Sequence, residues 1–248
     1  PGGVPAPADI KDDFDKLRTR FWLATSVHRD PNNYAYYGDR NGQFFGLWRH
    51  SDTEAELRLR SSGNGPRTVY RFTGIDGELR EPIRETRVFE PRERPWFKSG
   101  QSVALHTWTS VYIDFRTEQL VATRARRVNN ARGEFQGVVA TDLSLQHVND
   151  FLHSLKLTAN GIAYVVETDG NLIGASRGPH LQRAVAGGNV RLNVEASDDP
   201  LVVASYREIR KLLRHATEPS QARTAVFETS DRQQVEAAYA RIQDAAGL

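Results

Sequence analysis

"QLVATRARRVNNARGEFQGVVATDLSL", residues 119–145, decides the fold class. It reads as a strand, a turn and a returning strand, and the chain then runs straight into a helical pattern. In "SLQHVNDFLHSLK" (144–156), Leu145, Val148, Phe151, Leu152 and Leu155 fall on one helical face, with Ser144 placed to cap it. An antiparallel hairpin that ends in an amphipathic helix predicts an α+β protein with a boundary near Leu155.

The flanking sequence extends this pattern. Upstream, "YAYYGDRNGQFFGLW" (34–48) sets Asn41-Gly42 between two aromatic runs. "AELRLRSSGNGPRTVYRF" (55–72) alternates Leu57 and Leu59 with Arg58 and Arg60, passes a glycine-rich tip and resumes at Val69, Tyr70 and Phe72. "TGIDGEL" (73–79) supplies another turn at Asp76-Gly77, so the block reads as hairpins of one antiparallel sheet. Before it, "DIKDDFDKLRTRFWLATSVHRDP" (9–31) spaces Ile10, Phe14, Leu17, Phe21 and Ala24 by three and four, with Asp9 as cap and Pro31 as stop, which predicts a long helix. The leader "PGGVPAPA" has nothing to bury.

Downstream, strand grammar restarts. "GIAYVVETDGNLIGAS" (161–176) is strand, Asp169-Gly170 turn and strand. "DDPLVVASYREIRKLL" (198–213) is helical, with Asp199 at the cap and Pro200 in the first turn. "TAVFETSDRQQVEAAYARI" (224–242) fits a hairpin around Ser230-Asp231, although Val235, Tyr239 and Ile242 also suit a helix. The expected layout is a leader and long helix over 1–30, a hairpin-rich module with its connecting helix over 31–155, and a smaller module over 156–248.

Composition narrows the function. With 33 Lys and Arg against 31 Asp and Glu, the net charge of +2 leaves no basic footprint for nucleic acid. With no cysteine there is no disulfide framework and no thiolate nucleophile or ligand. No apolar run reaches the roughly 18 residues of a bilayer span. The seven histidines are scattered without HExxH, "SSGNGPRT" lacks the GK[ST] of a phosphate loop, and the G-x-S-x-G spacing of "GASRG" (174–178) follows a strand without the context of a nucleophile elbow, so no metal, cofactor or enzymatic chemistry is predicted.

One span does concentrate chemistry. "RERPWFKSGQSVALHTWTSVYID" (92–114) holds Arg94, Trp96, Phe97, Tyr112 and Asp114. An arginine fork grips a carboxylate, an aspartate grips an ammonium group, and Trp and Tyr offer flat walls with a polar tip. Tyr112 and Asp114 alternate on one strand and share a face. The plainer reading of the same residues is packing: Arg94 stacked on Trp96 at a sheet edge, and Asp142 capping the helix that follows.

Taken in order, "DRNGQFFG", "EPRERPWFKSG", the Tyr and Asp of "SVYID", "RGEFQGVVATDLSL" and "GIAYVVETDGNLIGAS" resemble the double Cache extracytoplasmic sensor domains of bacterial histidine kinases, diguanylate or adenylate cyclases and chemoreceptors. The layout resembles the family over about residues 8–248, and the specific motifs lie within about 88–176. The resemblance implies a long N-terminal helix followed by two PAS-like antiparallel-sheet modules, membrane-distal and membrane-proximal. It implies a periplasmic location, a membrane tether in the full-length protein, support for a homodimer through the leading helix, and no enzymatic activity in this domain. Relatives continue past a Gly-Leu like Gly247-Leu248 into a further apolar strand.

In the amino-acid-binding branch, Arg, Trp and Tyr positions, a Tyr-x-Asp and a later Asp form the pocket in the distal module. Arg94, Trp96, Tyr112, Asp114 and Asp142 match residue by residue. Phe89 and Phe97 stand where that branch usually has tyrosines, which leaves an amino acid, an amine and an organic acid all open as the ligand. A periplasmic protein-interaction module and a hydrolase or lyase are the alternatives.

Overall fold

Alternation along the strands gives each of them two different faces, and two helices cover those faces separately. The computed structural model describes residues 10, 14–27, 33–61, 65–185, 187–214, 221–230 and 232–242. The leader, Asp9, Pro31, the glycine-rich tip at 62–64, Asp231 and Gly247-Leu248 lie outside the described residues. The chain divides into two compact units, Pro1–Tyr112 with Val121–Ser144, and Ile113–Leu120 with Leu145–Leu248.

Helix α1 (Phe14–Val27) leads the first unit. Nine strands follow: β1 (Tyr34–Asp39), β2 (Phe44–Arg49), β3 (Glu54–Arg60), β4 (Pro66–Thr73), β5 (Ile83–Val88), β6 (His106–Trp108), β7 (Tyr112–Ile113), β8 (Leu120–Asn129) and β9 (Phe135–Ser144). They form one antiparallel sheet in the order β5-β4-β3-β2-β1-β9-β8-β6, with β7 also paired to β8. Helix α2 (Pro95–Ser102) lies between β5 and β6 in the chain.

One face of the sheet packs on α1. Phe14 and Phe21 meet Phe45 edge-on at 5.7 and 5.4 Å, Trp22 lies 5.7 Å from Phe72, and Tyr37, Leu47 and Leu57 complete this core. The helix buries Leu17, Phe21, Trp22 and Thr25, so Trp22 and Thr25 take the place the spacing gave to Ala24.

The opposite face is read from the register. Thr123 pairs with Asp142 and Ala125 with Ala140; Ala140 continues to Tyr36, Gly46, Arg58 and Val69 across β1 to β4. Directly paired residues share a face, so this row and its neighbours line the second surface. Helix α2 seats here because two glycines let it come close. A Cβ on Gly38 would stand 2.8 Å from the Trp96 ring, and one on Gly100 would collide with Val138.

This second face is also buried, including the arginine side of β3. Arg58 and Arg60 are 2% and 4% exposed. Burial is tolerated because each has a carboxylate, Glu56 at 3.0 Å for Arg58 and Glu90 at 3.0 Å for Arg60.

In the second unit, helices α3 (Gln146–Ser154) and α4 (Pro200–Arg214) accompany three separate hairpins: β10 (Tyr164–Val166) with β11 (Leu172–Ala175), β12 (Leu181–Arg183) with β13 (Asn189–Arg191), and β14 (Arg223–Glu228) with β15 (Gln234–Tyr239). The α+β class holds, but among the described residues this module is hairpins rather than one continuous sheet. Its strands are as short as three residues, and the β10–β11 ladder shifts register between Val165 and Val166. The segment 224–242 is a hairpin, not a helix. Leu172, Leu192, Val194, Val202 and Tyr206 form its core. Asp199 caps α4 through the Leu201 N–H at 3.0 Å, as expected.

Two expectations about α3 fail. Its N-cap is Leu145, while Ser144 remains in β9, and Phe151 is 62% exposed while Asn149 and Leu152 are buried. The β9 ladder holds Ser144 in extended pairing with Val121, so the helix starts later and its buried face rotates. Among the described residues no helix is long and apolar enough to cross a membrane.

Candidate functional site

Arg94 is fixed by its neighbour. A residue before proline is driven to extended backbone, and proline suits the first helical turn. Arg94 accordingly has φ −76° and ψ 147°, closes the 3-10 turn Pro91–Glu93 and opens α2 with Pro95 behind it. The loop is anchored by Glu90, which accepts from the Arg92 N–H, pairs with Arg92 at 2.7 Å and reaches Arg60 of β3 at 3.0 Å. Burial works to raise the Glu90 pKa, but the hydrogen bonds from Arg92 and Arg60 prevail and hold it at about 2.

The first turn of α2 then drives Trp96 and Phe97 onto the sheet, 3% and 2% exposed. Trp96 meets Tyr36 edge-on at 4.9 Å, and Phe97 packs between Trp96 at 5.5 Å and Phe135 at 5.9 Å. Phe89 packs edge-on against Phe44 at 4.9 Å, with the Arg67 guanidinium 3.8 Å from its ring centre. Both phenylalanines thus form the backing of the aromatic wall.

Beside Trp96 lies a hydroxyl–carboxylate cluster. The Tyr36 and Thr123 hydroxyls each donate to Oδ1 of Asp142 at 2.6 Å, and the Tyr112 hydroxyl lies 2.7 Å from the Thr123 Oγ1. Asp142 is 6% exposed, Tyr36 2% and Thr123 0%. Burial first, and then the neighbouring Asp142 charge, push the Tyr36 pKa well above its ordinary value, so its phenol keeps its proton and donates. The Arg94 guanidinium carbon is 5.8 Å from the centre of the Tyr112 ring.

Of the seven residues singled out in the sequence, Phe89, Arg94, Trp96, Phe97, Tyr112 and Asp142 all belong to this one side of the first unit's sheet. Asp142 does not cap the following helix; it is held inside β9 by the two hydroxyls. Asp114 falls in the second unit and builds its own turn. Its Oδ2 accepts from the Arg116 N–H at 2.8 Å, the Thr117 N–H at 2.8 Å and the Thr117 hydroxyl at 3.1 Å, while its N–H donates to Gln119 O at 2.9 Å.

Tyr36 and Thr123 were not singled out in the sequence. Parity could have found both, since Tyr36 alternates with Gly38 on the face that Trp96 needs, and Thr123 faces Asp142 once the hairpin register is set. The buried Glu56–Arg58 pair, with Arg58 4.6 Å from the Trp48 ring centre and 5.1 Å from that of Tyr34, is a further unforeseen part of the same face.

The second unit has a cleft of about 660 Å³ lined by Arg177, Asp199, Leu172, Val202 and Gln233, among others. Arg177 is committed there to Asp199 at 2.9 Å. Among the described residues no group of three His, Cys, Asp or Glu side chains is placed to hold a metal.

No protein-family model matches the chain. It is 32% identical over 108 residues to the methyl-accepting chemotaxis protein McpG of Pseudomonas putida, a match covering 43% of this chain and 16% of that relative. It is 35% identical over 85 residues to PctB of Pseudomonas aeruginosa, covering 34% and 13%. The matched part is thus a small fraction of the length of these relatives. Among solved structures, the ligand-binding domain of the Pseudomonas fluorescens chemoreceptor CtaA in complex with L-valine is 18% identical, covering 96% of this chain and 93% of that one, with a TM-score of 0.37. A superposition that loose carries no weight beside the sequence matches. The ordered motifs and the chemotaxis relatives agree: the matched part of the chain is similar to bacterial chemotaxis receptors, and its motifs resemble those of double Cache-type sensor domains.

Proposed function

We propose that this domain senses a small polar molecule outside the cytoplasm for a membrane chemoreceptor, binding it in the first unit between α2 and the sheet. One observation carries the reading: a carboxylate, Asp142, buried with hydroxyl partners beside Trp96, with the Arg94 guanidinium next to Tyr112 in the same cluster. A carboxylate and a guanidinium flanking aromatic rings suit the ammonium and carboxylate ends of an amino acid, and an amine or an organic acid uses one end alone.

Binding biases a conformational equilibrium whose readout crosses the membrane. The chemotaxis relatives favour a chemotaxis output over a kinase or cyclase. A membrane tether belongs to the same reading, as does a homodimer through α1, whose Leu23 and Val27 are exposed one turn apart.

The test is a thermal-shift panel of L-amino acids, amines and organic acids on the 248-residue chain. A ligand at 100 times its dissociation constant adds about 2.7 kcal/mol, or roughly 5–10 °C for a chain of this size. At least one compound should give such a shift in the wild type and lose it in Arg94→Ala. Flat melting temperatures across the panel would overturn the proposal.

A further inference from the structure

Three residues of "GASRG" (174–178), Ala175, Arg177 and Gly178, line the cleft of the second unit. Ala175 closes β11, and with Leu172 of the same strand and Val202 of α4 it gives the cleft an apolar floor, the three being 2%, 1% and 2% exposed. Two positions on, Arg177 stands at the rim, and Gly178 turns the chain there with φ +75°, a left-handed value that favours glycine. At about 660 Å³ the cleft has the size of a small-molecule site.

Arg177 is aimed by a chain of bonds. The Asp199 N–H donates to Ser197 Oγ at 3.2 Å, Asp199 Oδ1 accepts from the Leu201 N–H at 3.0 Å, and Oδ2 accepts from Arg177 Nε at 2.9 Å. Asp199 therefore already serves the first turn of α4, and the group left to meet a ligand is the guanidinium. Of its five N–H donors, one goes to Asp199, Nη1 reaches the Gly161 and Ala159 carbonyls only at 3.4 and 3.5 Å, and Nη2 has no partner among the described residues. The Nη1–Nη2 end of the fork, whose geometry matches a carboxylate, remains for the cleft. Asp198 lines the same cleft, exposed and without a hydrogen bond or ion pair among the described residues.

We propose that the second unit binds a small organic monocarboxylate in this cleft: Arg177 takes the carboxylate, the apolar floor takes an aliphatic body, and Asp198 turns away a second negative charge. The anion is the better fit because the held group is the guanidinium. Arg177 is oriented in advance by Asp199, whereas Asp198 is held by nothing and would have to be ordered by an ammonium ligand. A dicarboxylate sets its second charge against Asp198 or against the floor, and an unpaired charge in either place is penalised. The inference stands on the second unit alone and does not need the ligand site proposed above.

The test is a ligand-observed NMR titration of the whole chain with isovalerate, and with two competitors of the same branched skeleton. Methylsuccinate replaces one methyl group of isovalerate by a second carboxylate, and 3-methylbutylamine replaces the carboxylate by an aminomethyl group. Isovalerate should saturate below about 10 mM. Methylsuccinate should displace it only at concentrations at least about tenfold higher, and the amine should not displace it. Arg177→Ala should weaken isovalerate at least about tenfold, while Arg94→Ala leaves it unchanged. Asp198→Asn should bring methylsuccinate within about threefold of isovalerate, a change of selectivity that a merely structural Asp198 would not produce.

If Arg177→Ala does not fold, Asp198→Asn carries the test, since it alters one exposed side chain. No saturation by isovalerate, displacement by the amine, or selectivity unchanged in Asp198→Asn overturns the inference. Isovalerate binding that is lost in Arg94→Ala and kept in Arg177→Ala overturns it as well, and assigns the carboxylate to the first unit. A flat thermal-shift panel of amino acids alone would remove the first unit's site and leave this one standing.

Discussion

Replacing Asp142 separates a built polar network from side chains that merely sit near one another. In Asp142→Ala, the buried Tyr36 and Thr123 hydroxyls both lose their acceptor. An unsatisfied buried polar group costs about 1–3 kcal/mol, which sets a ceiling of roughly 6 kcal/mol for the pair. Tyr36 has a fallback, since the Thr123 oxygen already lies 3.5 Å away, so one orphan rather than two is the realistic outcome. With the lost carboxylate volume added, the expected loss is about 2–4 kcal/mol, a large share of a typical domain's stability. Asp142→Asn keeps an accepting oxygen and sheds a buried charge, so it should cost less than about 1 kcal/mol. The assay is urea unfolding followed by tryptophan fluorescence and circular dichroism, read as free energies where the two transitions coincide. In a Tyr36→Phe background, Asp142→Ala should cost clearly less, because one of its partners is already gone. A loss below about 1 kcal/mol for Asp142→Ala, or full additivity with Tyr36→Phe, would refute the network.

Gly38→Ala places a Cβ 2.8 Å from the Trp96 ring and 3.1 Å from Pro91, and overpacking of this kind costs about 1–3 kcal/mol. Its near-ultraviolet dichroism should change as Trp96 is displaced; a variant matching the wild type in both stability and spectrum would count against the seating of α2. Glu90 gives a pH signature. Its pKa falls from 4.5 to about 2 in the folded chain, so the unfolded state binds more protons between those values. The stabilisation is whole above pH 4.5 and drains away as pH falls toward 2. Glu90→Gln should lack that component, so its stability deficit against the wild type should narrow on acidification; a deficit constant from pH 6 to 2.5 would contradict the arginine clamp.

Much of the first unit was legible because its signals are local. Asn41-Gly42, the Arg94-Pro95 step and the 119–145 hairpin each fix backbone within a few residues, and the structure follows them. The buried arginine face was hidden for a physical reason. Alternation in β3 separates two faces but does not say that the second is also covered, since the cover, α2 and its aromatic residues, lies some 40 positions further along the chain. The Asp142 partners depend on strand register across β1, β8 and β9, a long-range property that a single stretch of sequence does not encode. Asp114 shows the opposite limit: two residues from Tyr112, it serves its own turn, because an aspartate facing consecutive N–H groups at a chain reversal finds them before anything else. In α3 the extended pairing of Ser144 outweighed its value as a cap, which moved the helix start and with it the buried face.

The most direct test is a calorimetric titration of the strongest thermal-shift ligand into wild type and into Asp142→Asn. The account predicts saturable binding to the wild type and a loss of at least about 100-fold in the variant, with the variant still folded. Equal affinity in the two proteins would contradict it, because the ligand would then bind without the carboxylate on which the site is centred.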